Sequence, residues 1–129
     1  MSRPIKFRIY DKQEECYSDK PFSIDQLGIC YIQDEDEYWE EIDENRFIVE
    51  QYTGLKDKNG KEIYGGDIIS FENEKGLARV LWLDGKAMFG LKWLDCGVED
   101  ELDYWIVCRG PVEVIGNIHE NPELLGGEE

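Results

Sequence analysis

Gln51-Tyr52-Thr53-Gly54-Leu55-Lys56-Asp57-Lys58-Asn59-Gly60-Lys61-Glu62-Ile63-Tyr64-Gly65-Gly66-Asp67-Ile68-Ile69 alternates turn-forming residues with apolar ones. Asn59-Gly60 is a strong hairpin signal, because both residues tolerate the positive φ of a tight primed turn. Residues 57–61 therefore read as a turn. Gly65-Gly66 permits a sharp bend, and the Asp67 carboxylate can accept hydrogen bonds from nearby backbone N–H groups as the chain enters Ile68-Ile69-Ser70-Phe71. Gly54, Asn59, Gly60, Gly66 and Asp67 are accordingly read as structural turn residues.

Working outward, Ile5, Phe7 and Ile9 alternate with Lys6, Arg8 and Tyr10, the period of a half-buried strand. Residues 22–24, 27–32 and 46–52 read as further extended pieces. Asp34-Glu35-Asp36-Glu37 interrupts them as a solvated loop, with a short helix around Tyr38-Trp39 weakened by neighbouring like charges. Beyond residue 69 the candidate strands are 78–83, 87–93, 104–108 and 112–118. Short strands at this spacing predict a mainly β protein, a small barrel or sandwich. The expected organisation is one domain over 1–129: an N-terminal strand and irregular lobe to residue 50, a barrel core over 51–125, and a disordered tail over 126–129.

The chain has 129 residues, 41% of them hydrophobic, enough to close a core. Thirty acidic residues against fourteen basic give a net charge of −16. Such a charge repels phosphate backbones and anionic lipid, arguing against direct nucleic-acid or membrane-surface binding. It favours solubility, basic or neutral partners, or mimicry of a polyanion. Cys16, Cys30, Cys96 and Cys108 lie far apart with no Cys-x-x-Cys pair, so neither a metal site nor a cofactor is predicted. The N-terminus lacks the apolar run of a signal peptide, which points to the cytoplasm and reduced thiols.

Each chemical candidate has a plainer alternative. Aligning Asp57-Lys58-Asn59-Gly60 with a calcium loop puts Leu55 at the first-carboxylate position and Gly66 at the bidentate-glutamate position, so the cage lacks its strongest ligands. His119, the only histidine, would need an orienting carboxylate such as Glu120 or Glu113 to act as a base; a packing or hydrogen-bonding role is the simpler reading. Cys108 follows the apolar run Trp105-Ile106-Val107 and reads as an inert core thiol. The acidic clusters read as solvated faces, since none is embedded among apolar residues. Trp82, Trp93 and Trp105, with Phe89 and Tyr104 near them, could line an aromatic groove for an extended peptide, as small barrels often do, but core packing is the simpler reading. Trp39 differs, lying in an acidic stretch where no pattern dictates burial; with Tyr38 and Tyr31 it could anchor a partner or staple the N-terminal lobe.

The start Ile5-Lys6-Phe7-Arg8-Ile9-Tyr10-Asp11, the central block just quoted, and Val114-Ile115-Gly116-Asn117-Ile118-His119-Glu120-Asn121-Pro122-Glu123-Leu124-Leu125 together resemble the YopX family of phage and prophage proteins. The chain departs from that pattern at Tyr10, often tryptophan there, at Gly65, often charged, and at His119, often tyrosine. The resemblance implies a phage or prophage origin, a small SH3-like β-barrel with an irregular N-terminal region, no established biochemical activity, and a capacity to form a homo-oligomer. The sequence thus points to a non-enzymatic accessory protein that binds a protein partner or itself. An acidic decoy for a basic nucleic-acid-binding surface is one alternative, and a hydrolase using His119 or an acidic cluster is another.

Overall fold

The computed structural model describes residues 4–128, with side chains to residue 125. It is mainly β, with twelve strands and one α-helix among the described residues. Contacts divide the chain into two units: one is the chain up to Phe7 together with the chain from Glu50 onward, the other is Arg8–Val49. The first residues join the C-terminal part because the Tyr52 N–H donates to the Lys6 carbonyl at 2.8 Å, while the Lys6 ammonium lies 5.7 Å from the Tyr52 ring centre.

In the Arg8–Val49 unit, β1 (Phe7–Asp11) pairs antiparallel with β2 (Cys16–Tyr17), and β3 (Phe22–Ile24), β4 (Cys30–Gln33) and β5 (Trp39–Glu41) form a three-stranded antiparallel sheet in that order. The region expected to be irregular is therefore ordered. Ile9, Cys30, Ile32 and Phe47 form its small core, with Phe22, Ile24 and Ile42 packed against them. Two further expectations change. Tyr38-Trp39 leads into a strand rather than a helix, because the Asp34 carbonyl and carboxylate close a tight turn that returns the chain alongside β4. Leu27 is exposed in a turn made by Asp25, whose Oδ1 accepts from the N–H groups of Leu27 and Ile29, so β4 starts only at Cys30.

Asp11 is the polar anchor of this unit. Its buried carboxylate accepts two hydrogen bonds from Arg46, Nε at 2.9 Å and Nη2 at 2.8 Å, and two more from the N–H groups of Gln13 and Glu14. The Arg46 hydrogen bonds, outweighing burial, hold the Asp11 carboxyl at about 2 against an ordinary value of 3.8.

The other unit begins its sheet structure with β6 (Phe47–Lys56), which crosses the boundary, and β7 (Glu62–Tyr64). A five-stranded antiparallel sheet follows in the order β11-β10-β9-β8-β12, from β8 (Asp67–Phe71), β9 (Leu77–Leu83), β10 (Met88–Trp93), β11 (Glu99–Glu101) and β12 (Val112–Asn117). The sheets curl, and one forms a half-barrel. Its core is Ile63, Ile69, Phe71, Ala78, Val80, Leu91, Trp93, Leu102, Val112 and Val114.

The segment 104–108, read from the sequence as a strand, lies within a helix, α1 (Leu102–Cys108). Leu102, Trp105 and Ile106 stand at i, i+3 and i+4, so one helical face meets the core, where Trp105 packs 5.0 Å from the Trp93 ring and 5.4 Å from Phe71. Val107, on the opposite side, is 78% exposed, and Cys108 is exposed rather than a core thiol. Burial falls instead on Cys30, whose thiol it pushes upward in pKa. The backbone after Pro122 continues as a 3-10 stretch, Pro122–Glu128; Glu129, the end of the tail expected to be disordered, lies outside the described residues.

The 57–61 turn forms where the sequence placed it, but only Gly60 has positive φ, at 82°, so it is not the two-residue primed turn. Asp57 builds it. Its Oδ1 accepts from the N–H groups of Asn59 and Lys61, both at 2.9 Å, and its Oδ2 accepts from the buried N–H of Val114 at 3.0 Å. The Lys58 N–H also donates to the Val112 carbonyl at 2.9 Å. Burial alone would raise the Asp57 pKa, but the backbone donors of Val114, Lys61 and Asn59 and the Lys61 charge overcome it and hold the carboxyl below its ordinary value.

Two predictions follow from these carboxylates. Because the Asp11 pKa is depressed on folding, its contribution is full above the unfolded value of 3.8 and is lost as pH falls toward about 2. D11N is expected to cost roughly 1–3 kcal/mol near neutrality, with the gap to the parent chain closing over that acid window in thermal melts. Asp57→Ala leaves the Val114 N–H without its acceptor; the expected cost is roughly 1–3 kcal/mol, and amide hydrogen exchange should quicken first at Val114.

Candidate functional site

The residues singled out from sequence fall into three places. Gly54, with φ of 92°, sits at the irregularity in the β6–β7 pairing, between the Tyr52↔Tyr64 and Lys56↔Glu62 registers. Gly66 and Asp67 make the bend before β8: the Asp67 Oδ2 accepts from the Tyr64 N–H at 2.8 Å, as its position in the sequence suggested. These are backbone roles.

Tyr38 and Trp39 are different. They are 70% and 50% exposed at the end of the β4–β5 hairpin. Cross-strand pairs place Gln33 opposite Trp39 and Tyr31 opposite Glu41. Trp39 and Tyr31 are thus diagonal neighbours on one face of the sheet, opposite the face of Cys30 and Ile32, which enter the core. Residues 34–44 supply no basic side chain to this hairpin. Burial, together with the Asp25 carboxylate, raises the Tyr31 phenol pKa, and its hydroxyl lies 3.4 Å from Asp25 Oδ2. The turn presenting the aromatics is fixed by its own bonds: the Asp34 N–H donates to the Tyr38 carbonyl at 2.8 Å, and the Tyr38 N–H returns to Asp34 Oδ1 at 2.8 Å.

At a third place Trp82 departs from the core packing expected of it. Trp82 shares strand parity with the buried Ala78 and Val80 and so faces the core side of β9, yet it is 47% exposed. The core ends before it. Trp82 is paired with Phe89 near the end of the β9–β10 hairpin, their rings 5.1 Å apart at 84°. Thr53, Leu55, Met88, Leu102 and Asp103 join them around a cavity of about 270 Å³. Ala87, on its lip, holds φ of 52°, a left-handed conformation uncommon for a residue with a side chain.

His119 finds a carboxylate, though not one of those expected. Glu120 Oε1 accepts from Asn117 Nδ2 at 3.1 Å, and Glu113 lies 3.7 Å from Lys58 Nζ. The partner is Glu50, whose Oε2 is 2.7 Å from His119 Nε2; the two side chains are only 6% and 9% exposed. Glu50 could have been noticed, because it is a charged residue at the parity of buried Tyr52 in β6, where burial demands a polar partner. Asn117 Oδ1 fixes the His119 turn by accepting from the N–H groups of His119 and Glu120, at 3.0 and 2.8 Å. Gly66 makes room for the pair: its φ is 94°, and a Cβ there would collide with the Glu50 carboxylate. Among the described residues, no three His, Cys, Asp or Glu side chains are grouped to hold a metal ion, and no helix is long and apolar enough to cross a membrane. Gly66→Ala is expected to displace Glu50 and lower stability by roughly 1–3 kcal/mol through left-handed strain, with the His119 ring resonances shifting in NMR spectra.

Residues 6–126 match the family described as YopX protein. The chain is also similar to a solved structure, the crystal structure of protein EF1440 from Enterococcus faecalis, with 30% identity and a TM-score of 0.65 over 96% of this chain and 99% of that one. No curated protein matches the chain. Matched along nearly its whole length, the protein belongs to the YopX family.

Proposed function

We propose that this protein is a non-enzymatic phage or prophage accessory module, an SH3-like barrel with an added N-terminal unit, that works in the host cytoplasm by gripping a basic protein segment. The observation that carries the reading is the exposed Tyr38-Trp39 pair, held by a self-bonded turn on a hairpin without basic side chains. Exposed aromatics contribute large contact area at low entropic cost, and surrounding carboxylates steer and orient a cationic partner. Arg and Lys side chains also stack favourably on indole and phenol faces. Catalysis fits less well, since the Glu50 and His119 side chains are both buried away from substrate. Self-association through the same aromatics belongs to this reading in a weaker form, because two copies would bring like charges together.

The net charge of −16 favours one second reading, an acidic decoy that occupies a basic nucleic-acid-binding surface. The two differ in how binding responds to salt. Titration of an Arg/Lys-rich peptide, followed by calorimetry at low and high salt, tests them. Gripping by Tyr38 and Trp39 predicts that Trp39→Ala weakens binding roughly tenfold or more and that part of the affinity survives high salt. Binding that ignores Trp39→Ala and vanishes with salt would sink the aromatic grip in favour of the decoy.

A further inference from the structure

We propose that the Trp82–Phe89 cavity is a second binding site, one that takes an ammonium group on an alkyl stem, as a lysine side chain of a protein partner presents it. The site lies on different residues from the Tyr38-Trp39 hairpin and does not depend on that reading. Trp82 and Phe89 stand edge to face in direct contact, ring centroids 5.1 Å apart, so a bound group meets the ring faces that this contact leaves uncovered. Cations are attracted to such faces, best of all to tryptophan. Leu55 and Met88 supply apolar surface for the stem, with the buried Leu102 behind them. Thr53 Oγ1 is already occupied, donating to the Ile63 carbonyl at 2.8 Å and accepting from the Leu55 N–H at 3.1 Å, so it adds little selectivity.

Charge decides the occupant. The one ionisable side chain lining the cavity is Asp103, exposed in the first turn of α1, with Oδ1 accepting from the Tyr104 N–H. A lone carboxylate beside two aromatic rings, on a molecule of net charge −16, selects a cation over a neutral or anionic ligand. Size points the same way. About 270 Å³ has room for a lysine side chain. The cavity suits a single side chain. Trp82 is 47% exposed beside it, so a side chain projecting from another protein can reach the aromatic pair.

The test is NMR titration of the full chain, following the four tryptophan indole N–H signals, with N-acetyl-lysine methylamide as probe. N-acetyl-norleucine methylamide serves as its neutral counterpart and tetramethylammonium as a free cation without a stem. The expected result is a saturable shift confined to Trp82 and the Phe89 ring, with the lysine probe binding roughly fivefold or more tightly than the norleucine probe. Asp103→Asn, an exposed change that leaves the core intact, should weaken the lysine probe two- to fivefold, roughly, without altering the free-protein spectrum. Trp82→Ala should abolish the response, while Trp39→Ala should leave it unchanged. Equal affinity for the norleucine probe, or a Trp82 signal unmoved by the lysine probe, overturns the proposal. Tighter binding of tetramethylammonium than of the lysine probe also overturns it, because the stem would then contribute nothing.

Discussion

The structure of the larger unit depends on one buried carboxylate that reaches across 57 residues of sequence, from Asp57 to the N–H of Val114. β12 is an edge strand of the five-stranded sheet, and an edge strand exposes unpaired backbone groups. Val112 and Val114, two residues apart, direct a carbonyl and an N–H to the same side, and Lys58 and Asp57 take up both. The turn that joins β6 to β7 therefore doubles as the lateral partner of β12. This explains why the 57–61 turn combines a carboxylate, an Asn and a positive-φ glycine. The carboxylate serves Asn59, Lys61 and Val114 at once, and Gly60 supplies the backbone conformation that brings Lys61 within reach. The block is shaped by closure of the fold, which accounts for its prominence in the sequence.

The two surface features with binding character arise from different physical causes: a strand that runs on past its core in one sheet, and the outward face of a strand in the other. In the five-stranded sheet, Ala78 and Val80 are covered, while Trp82, at the same parity, is left at the mouth. In the three-stranded sheet, Ile32 is buried while Tyr31 and Trp39 lie on the opposite, outward face. An aromatic residue in either place is not required to satisfy folding, and a smaller or polar residue would meet the same backbone demands. The Glu50–His119 pair is the converse case. It places polar groups where folding would prefer apolar ones, and the absence of a Cβ at Gly66 is what allows them to fit.

Strands with clean alternation were legible in the sequence. Residues 22–24, 78–83 and 87–93 appear as β3, β9 and β10 within a residue or so, and the bends at Gly60 and Gly66 stand where glycine and Asx chemistry put them. The helix was hidden because Tyr104, Trp105, Ile106 and Val107 are all strand formers by propensity, whereas the i, i+3, i+4 placement of Leu102, Trp105 and Ile106 is a tertiary signal that acts only once a core is there to receive it. The N-terminal sheet was obscured for another reason: with strands of two to four residues, its order comes from Asp-built turns at 11, 25 and 34 more than from apolar periodicity. Of the candidate sites, the exposed aromatics of the hairpin stood out by composition. The cavity did not, because parity identifies which face a residue occupies but not where the core beneath that face ends. Glu50 and His119 are 69 residues apart, and their meeting is a property of topology alone.

With one edge of the five-stranded sheet covered by the Asp57 turn, the opposite edge is β11, whose three residues are Glu99, Asp100 and Glu101. Asp100 is turned to account internally, accepting from the Trp93 indole N–H at 3.0 Å, and Glu101 lies 3.8 Å from Lys86 Nζ. A second copy approaching that edge would have to align carboxylate against carboxylate along the whole strand. One flank of the sheet thus has the Val112 carbonyl and Val114 N–H taken up by the Asp57 turn, and the other carries three carboxylates whose like charge disfavours edge-to-edge strand pairing.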